Sequence, residues 1–289
     1  MRVFTRVVEM NSFSKAAEAL GLPASTVSDI IKRSENRLGI KLLDRTTRIV
    51  APTLDGQVWY RKCLSIINAV EEAENGFQGS LPRGRLRVDV HGTLARYFLL
   101  PQLEHFQSEC PGIELVLSEG DRLVDLIREG VDCVLRVGVP EDSDLIARQL
   151  GLLPEVTVAS PAYLAHHGMP RSPDDLDGHR MIAYLSSQTG DALPLYFTID
   201  GRQEQRQVPA GFVTTGADTM LVAARLGMGL IQAPRYHMAA DLAAGRLVEV
   251  LADTPPAPSP VSVLYPRDRQ LSPRLQVFLD WLGSIEFAP

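Results

Sequence analysis

The chain has few cysteines for its 289 residues: Cys63, Cys110 and Cys133 stand at spacings that fit neither a disulfide framework nor a zinc site. They read as buried, reduced thiols; a redox-sensing thiol is the sharper alternative, but no flanking basic pair marks one. No run of about 18 apolar residues is present to span a bilayer. The first fifteen residues mix Arg2, Arg6, Glu9 and Lys15 with apolar positions, which is not a secretory pattern. A cytoplasmic protein with no membrane partner is the expectation. Enzyme signatures are missing too: there is no nucleophile elbow, no phosphate loop and no His-Glu-x-x-His. Gly227-Met228-Gly229 lacks a third glycine and does not follow a first strand, so it is no dinucleotide fingerprint. His166, His167, His179 and His237 have no metal-ligand spacing and are expected on the surface or in loops. No catalytic residue, metal or cofactor is therefore expected.

What is present starts at Phe13. Ala16, Ala17 and Leu20 recur at helical spacing, Gly21 offers a positive-φ turn, and a second helical run after Pro23 places Val27, Ile30 and Ile31 on one side. Two short helices with small residues at their crossing make a corner of the kind that sets a helix into the DNA major groove. After Lys32, Arg33, Arg37 and Leu38 come Gly39, an apolar run Ile40 to Leu43, and Asp44-Arg45-Thr46-Thr47-Arg48. That order reads as a short strand and a basic wing, with Thr53 as the N-cap of the next helix. Charge supports the reading. Residues 1–50 hold nine basic and five acidic side chains, a balance of +4, so the total of −6 leaves −10 on the other 239 residues. A basic head on an acidic body concentrates attraction for phosphate at one end.

The stretch from Ser14 to Gly56 resembles the DNA-binding end of the LysR-type transcriptional regulators, carried by Ala16-Ala17, the small-residue turn, Val27-Ser28, Leu38-Gly39 and Arg45-Thr46-Thr47-Arg48. The resemblance implies that Ser25, Thr26, Ser28 and Asp29 lie near the groove, Lys32 and Arg33 nearer the phosphates, and Thr47 and Arg48 in the wing. Asp29 stands where many relatives carry arginine or another polar residue, and Ser34 where an apolar residue usually packs the recognition helix. The chain starts at Met1-Arg2-Val3-Phe4, later than relatives usually do, which shortens the first helix.

Trp59, Cys63, Ile66, Val70, Ala73 and Phe77 are spaced four, three, four, three, four. This is the seam of a helix that pairs with another helix, and it precedes the proline-glycine break Ser80 to Gly84. Beyond the break, strand and helix alternate: strands at Arg85 to Val90, Ile113 to Ser118, Cys133 to Val137, Val156 to Ala159, Met181 to Tyr184, Gly229 to Gln232 and Val261 to Tyr265, and a hairpin of Pro194 to Asp200 with Gln205 to Ala210. Helices are expected at Leu94 to Glu109, Arg122 to Glu129, Pro161 to His167 and Asp218 to Leu226, with a terminal one through Leu275, Phe278, Leu279 and Leu282. Such alternation implies βαβ units on a parallel sheet, with ligands at the carboxyl ends of the strands.

That arrangement resembles the family's effector domain, a periplasmic-binding-protein-like pair of α/β lobes. The expected organisation is a winged helix-turn-helix domain at 1–57, a linker and dimerisation helix at 58–80, and an effector-binding domain at 85–289. Its lobe I spans about 85–159 and 262–289, and its lobe II about 160–261, with hinges near Ser160 and Val261. His91, Gly92 and Thr93 at one helix start, Thr215 and Gly216 before another, and Arg136 at a strand end are the candidate effector-binding residues. Helix starts that face each other favour a carboxylate, and the resemblance adds aromatic molecules. The expected partners are double-stranded promoter DNA, a second copy through the linker helix, a tetramer through the effector domains, the small-molecule effector and, as a further candidate, RNA polymerase. Two rivals stay open: an enzyme built on the same lobes, and a solute-binding protein.

Overall fold

The computed structural model describes residues 1–45, 50–76, 82–120, 126–140, 144–187, 189–267 and 271–287. Its head begins with α1 (Arg2–Met10), α2 (Phe13–Leu20) and α3 (Ala24–Leu38). The Ser12 hydroxyl accepts the Lys15 N–H at 3.3 Å and so starts α2, while Gly21, at φ 63°, lets the Leu22 N–H reach back to the Ala17 carbonyl at 3.0 Å. Ala16 and Ala17 are buried at the crossing, and Val27 and Ile31, one turn apart on α3, complete the contact with Phe4 and Val7. Burying a side chain such as Ile31 contributes about 1.5–3 kcal/mol.

Gly39 ends α3 at φ 69°, and Glu35 then accepts the N–H groups of Leu42 and Leu43 at 3.0 and 3.3 Å, tying the wing to the helix. The wing strands β1 (Leu43–Arg45) and β2 (Val50–Pro52) pair antiparallel. Thr53 caps α4 (Leu54–Gly76), its hydroxyl accepting the Gly56 N–H at 2.9 Å and donating to the Lys41 carbonyl at 2.7 Å. Gly56 is obligatory, because a Cβ there would stand 1.9 Å from the Leu42 carbonyl oxygen. The expected boundary between residues 57 and 58 therefore falls inside one continuous helix. Ser34, the departure on α3, is half-buried and returns its hydroxyl to the Ile30 carbonyl at 2.9 Å.

The second part opens with β3 (Gly84–Val90), followed by a broken helical run: α5 (Gly92–Leu94), a π turn at Ala95–Leu99, a 3-10 turn at Leu100–Gln102, and α6 (Leu103–Glu109). Pro101 has no N–H to donate, so the single helix expected from Leu94 to Glu109 changes its hydrogen-bond pattern around it. Next are β4 (Ile113–Glu119), α7 (Leu126–Glu129), β5 (Cys133–Val137) and β6 (Leu145–Leu153). Lobe II adds β7 (Glu155–Ala159), α8 (Pro161–His167), β8 (Met181–Tyr184), β9 (Leu195–Ile199), β10 (Arg202–Arg206), β11 (Ala210–Thr214), α9 (Ala217–Arg225), β12 (Ile231–Pro234), α10 (Arg235–Ala243) and β13 (Val248–Val250). The chain returns through β14 (Ser259–Pro266) and α11 (Pro273–Ser284).

Lobe I is a five-stranded sheet in the order β4-β3-β5-β14-β6, in which β3 runs parallel to β4 and β5, and β14 antiparallel to β5 and β6. Leu86, Val88, Phe106, Phe278 and Trp281 fill its core, where Leu275, Leu279 and Leu282 of α11 are also buried. In lobe II, β7 lies between β12 and β13, both antiparallel to it, and β8 pairs parallel with β11.

Sheet membership corrects the first expected hinge. Because β7 pairs within the lobe II sheet and β14 starts pairing with β6 at Ser259, the first crossover falls at Pro154 rather than near Ser160, while the second, just before Ser259, lies close to the expected Val261. The expected hairpin strand from Gln205 to Ala210 is also shifted. Asp200 and Gly201, both at positive φ, make a tight turn that starts β10 at Arg202, and Ala210 opens the separate strand β11.

Head and lobe I touch through Glu9 of α1, which accepts from Arg85 and Arg87 of β3 at 3.2 Å each and from the Tyr60 hydroxyl at 3.4 Å. The three cysteines are free and buried, and burial raises each thiol above its ordinary range, which makes them poor thiolates.

Candidate nucleic-acid interface and interlobe cleft

Val27 and Ile31 turn inward, so the positions between them turn outward. Ser25, Asp29, Lys32 and Arg33 are exposed, and Thr26 and Ser28 are half-buried at the edge of the same face. Residues at i, i+4 and i+7 share a helical face, which joins Ser25, Asp29 and Lys32 into one strip. Arg33 Nε donates to the Asp29 carbonyl at 3.4 Å, so the Asp29 carboxylate stays on the surface beside it. Together with Arg33 the face presents hydroxyls, one acid and two cations to solvent. Thr47 and Arg48 lie outside the described residues.

Further along, α4 uses its seam for two purposes. Cys63 is buried in the head's core with Trp59 packed against that core, whereas Ile66 and Val70 stand 43 % and 46 % exposed. Leu54 and Val58 add exposed apolar surface at the start of the same helix. Nothing is described of the Ala73 side chain, and Phe77 lies outside the described residues.

Between the lobes is a cleft of about 760 Å³. His91, Thr93 and Arg136 line it, as does Ala217 at the start of α9; Gly92, Thr215 and Gly216 are not on its wall. A Cβ on Gly92 would meet the Glu119 carboxylate at 2.6 Å, and Thr215 points to solvent. The idea of two helix starts facing each other also needs correction. The first turn of α9 carries its own acid, Asp218, whose charge offsets that helix start. Asp218 pairs with Arg96 from lobe I and accepts from His237 Nε2 at 3.1 Å, and Arg96 also holds Glu119 at 3.1 Å. These contacts form an exposed latch between the lobes.

Arg136 is turned toward lobe I. Its guanidinium pairs with Asp89 and donates to the carbonyls of Asp89 and Leu135 at 3.2 and 3.1 Å, while Ser118 donates to the other Asp89 oxygen at 2.6 Å. On the opposite wall a hydrogen-bonded chain crosses the lobes: His91 Nδ1 to Thr93 Oγ1 at 2.8 Å, and Thr93 Oγ1 to the Tyr236 hydroxyl at 2.6 Å. The Tyr236 ring meets Tyr97 and Phe98 edge-on, with centroids 5.3 and 4.8 Å apart, so the first turn of α10 is planted in lobe I's core.

Of the histidines expected on the surface or in loops, His237 is buried in α10, whereas His179 lies in a loop as expected but is buried there. His237 is buried under Tyr97 beside Asp218, and burial lowers its imidazole below the ordinary value, Asp218 opposing only part of that shift. His179 is buried against the Tyr163 hydroxyl, 3.1 Å away, and is likewise lowered by burial and by His167. His166 and His167 are exposed as expected.

The residue that sequence reasoning missed is Glu155. It opens β7 at the first crossover and lines the cleft, and burial pushes its carboxyl up to about 7, a hydrogen bond with Ser259 of the second crossover offsetting only part of the rise. An acid directly after Pro154 is a visible signal, but nothing local says that the chain changes lobes there. Among the described residues no group of three or more histidine, cysteine, aspartate or glutamate side chains could hold a metal ion.

A winged helix-turn-helix joined by a long helix to a two-lobed α/β domain with a central cleft defines a ligand-responsive DNA-binding protein. Residues 1–57 match the bacterial regulatory helix-turn-helix model of the lysR family, and residues 79–284 match the LysR substrate binding domain. The chain is 38 % identical over 289 residues to the HTH-type transcriptional regulator YhjC of Escherichia coli K12, covering 99 % of this chain and 96 % of that one. It is similar to the solved structure of CrgA, a LysR-type transcriptional regulator from Neisseria meningitidis, at TM-score 0.61 and 32 % identity, covering 97 % and 96 % of the two chains. The full-length structure of the Vibrio cholerae virulence activator AphB gives TM-score 0.60 at 25 % identity over 97 % and 96 %. The chain belongs to the LysR-type transcriptional regulator family. It is a DNA-binding transcriptional regulator with an effector-binding domain, and nothing in these likenesses favours a solute-binding protein or an enzyme.

Proposed function

We propose that the protein binds promoter DNA as a dimer formed through α4 and adjusts that binding when a small molecule enters the cleft between the lobes. The observation that carries this reading is α4 itself. One helix closes the head with Cys63 and Trp59 and leaves Ile66 and Val70 exposed beyond it, so the element that fixes the head also offers a face to a second copy. Two heads on one rigid pair of helices would read two half-sites at a set spacing. The cleft is of a size for one small molecule and is bordered by both crossovers, Glu155 following one and Ser259 opening the other. A ligand there would act by favouring one lobe arrangement over another. Contact between effector domains in a tetramer and contact with RNA polymerase complete the reading, which has no catalytic step. Among the described residues no helix is long and apolar enough to cross a membrane, which is compatible with work in the cytoplasm.

Sedimentation and a mobility-shift assay on the gene's own upstream DNA test this together. The Ile66→Asp, Val70→Asp double variant should sediment as a smaller species and protect one half-site instead of two. A variant that keeps the wild-type mass and footprint would remove α4 as the dimer element.

A further inference from the structure

The charges on the cleft wall say what kind of molecule it admits. Among the described residues, Arg136 and Glu155 are the lining side chains with a formal charge, joined by the imidazoles of His91 and His237. Arg136 spends its charge on Asp89, whose other oxygen is held by Ser118. His237 is committed to Asp218 and is held below its ordinary pKa by burial. Much of the remaining wall is aliphatic, with Val134, Val137, Val139, Leu193 and Met220.

An anion moved from water into such a site needs a cation or several donors to replace its hydration. Here it would meet a guanidinium already paired, a carboxyl at the hinge, and neutral polar side chains such as Ser187, Gln203 and Gln232, the last with its amide already donated to Thr157 and the Tyr196 carbonyl. A hydrogen-bond donor meets the opposite situation, since the Glu155 carboxyl, bonded to Ser259, keeps further acceptor capacity and the apolar part of the wall receives the rest of the molecule. We infer that the effector is a small molecule with an apolar body that carries no negative charge and presents an N–H donor, amide or amine, to Glu155. This rests on the cleft being the effector site and goes beyond it by fixing the ligand's charge, opposite to the carboxylate that the helix starts suggested in the sequence.

The test uses the full-length protein and matched probes that differ only in their polar end: benzoate, benzamide and benzylamine, with cyclohexanecarboxylate, cyclohexanecarboxamide and cyclohexylmethylamine. Binding is read at pH 8 by saturation-transfer NMR on wild type, Glu155→Ala and Val139→Trp, the last filling the cleft mouth from a position 75 % exposed. Amides or amines should bind wild type and lose about tenfold or more in affinity in Glu155→Ala. They should also be blocked in Val139→Trp, while the carboxylates give no saturation transfer. Preference for amine over amide identifies a cationic ligand, and the reverse a neutral one. Carboxylates that bind as well as the amides, with Val139→Trp blocking them, would overturn the charge assignment and leave the effector cleft standing. Binding that survives Val139→Trp, or no binding by any probe, would overturn the cleft as effector site and this inference with it.

Discussion

The outer face of α3 and the wall of the interlobe cleft are both polar, and they treat their polar groups in opposite ways. On α3, Ser25, Asp29, Lys32 and Arg33 project from one 15-residue helix into water. In the cleft, Thr93 and Tyr236 bond one another across the lobes, and Arg136 is neutralised by Asp89. The first surface suits a polyanion, which brings its own charge and releases counterions. The second is already balanced, so its ligand must fit by shape and by the few bonds it can join.

The largest expected effect separates the two regions outright. Gly56→Ala drives a Cβ toward the Leu42 carbonyl oxygen, from an ideal separation of 1.9 Å, and should cost the head about 3 kcal/mol or more. Trp59 is one of two tryptophans, so its fluorescence in a Trp281→Phe background reports on the head in urea. The head should unfold earlier while binding of cleft probes persists. Equal loss in both regions would mean that they do not fold independently.

Glu155 gives the next effect, in the cleft. Its folded pKa is raised to about 7 from an ordinary 4.5, so the folded state binds its proton more tightly. Stability is then greatest below pH 4.5 for this group and is lost as pH rises to about 7. Glu155→Gln should remove that loss, raising stability at pH 8 relative to pH 5 by up to about 3 kcal/mol in denaturant titrations. An unchanged pH profile would place Glu155 in ordinary solvent. Asp241 has the opposite sign. Burial would raise its carboxyl, but Arg225 and Arg246, at 2.7 and 2.6 Å, more than offset it and hold it below the usual range. Its stabilisation is present above the usual carboxylate pKa and is lost as pH falls through the lowered folded value. Asp241→Asn should flatten that acid limb.

Smaller still is Ser28→Ala on the α3 face. It should cost about 1 kcal/mol or slightly more on operator DNA and little on random duplex, read by competition binding. Equal losses on both would make Ser28 a phosphate contact. The smallest effect belongs to the latch. Arg96 and Asp218 are 41 % and 57 % exposed, so Asp218→Asn should lower stability by under about 1 kcal/mol. A larger loss would show that the latch, and not the Tyr236 anchor, holds the lobes together.

The head was legible because its signals are local: a glycine after alanines, a period of apolar residues, and a threonine cap act within a turn or two of each other. The cleft was legible only in outline. His91, Thr93 and Arg136 were found as strand ends and helix starts, but whether Arg136 is available depends on Asp89, 47 positions earlier. Glu155 and Tyr236 were missed for the same reason, since their importance comes from a strand that changes lobes and a helix turn buried in the other lobe's core. His237 was misplaced because an imidazole satisfied by Asp218 carries no periodic mark.

The central claim, that the exposed strip of α3 meets DNA phosphates, is tested most directly by fluorescence anisotropy of a labelled upstream duplex across a salt series, for wild type and Arg33→Ala. Log affinity should fall linearly with log salt for wild type, and Arg33→Ala should bind every sequence more weakly with a slope shallower by about 0.9. A salt-independent affinity, or an Arg33→Ala slope equal to that of wild type, would contradict the account.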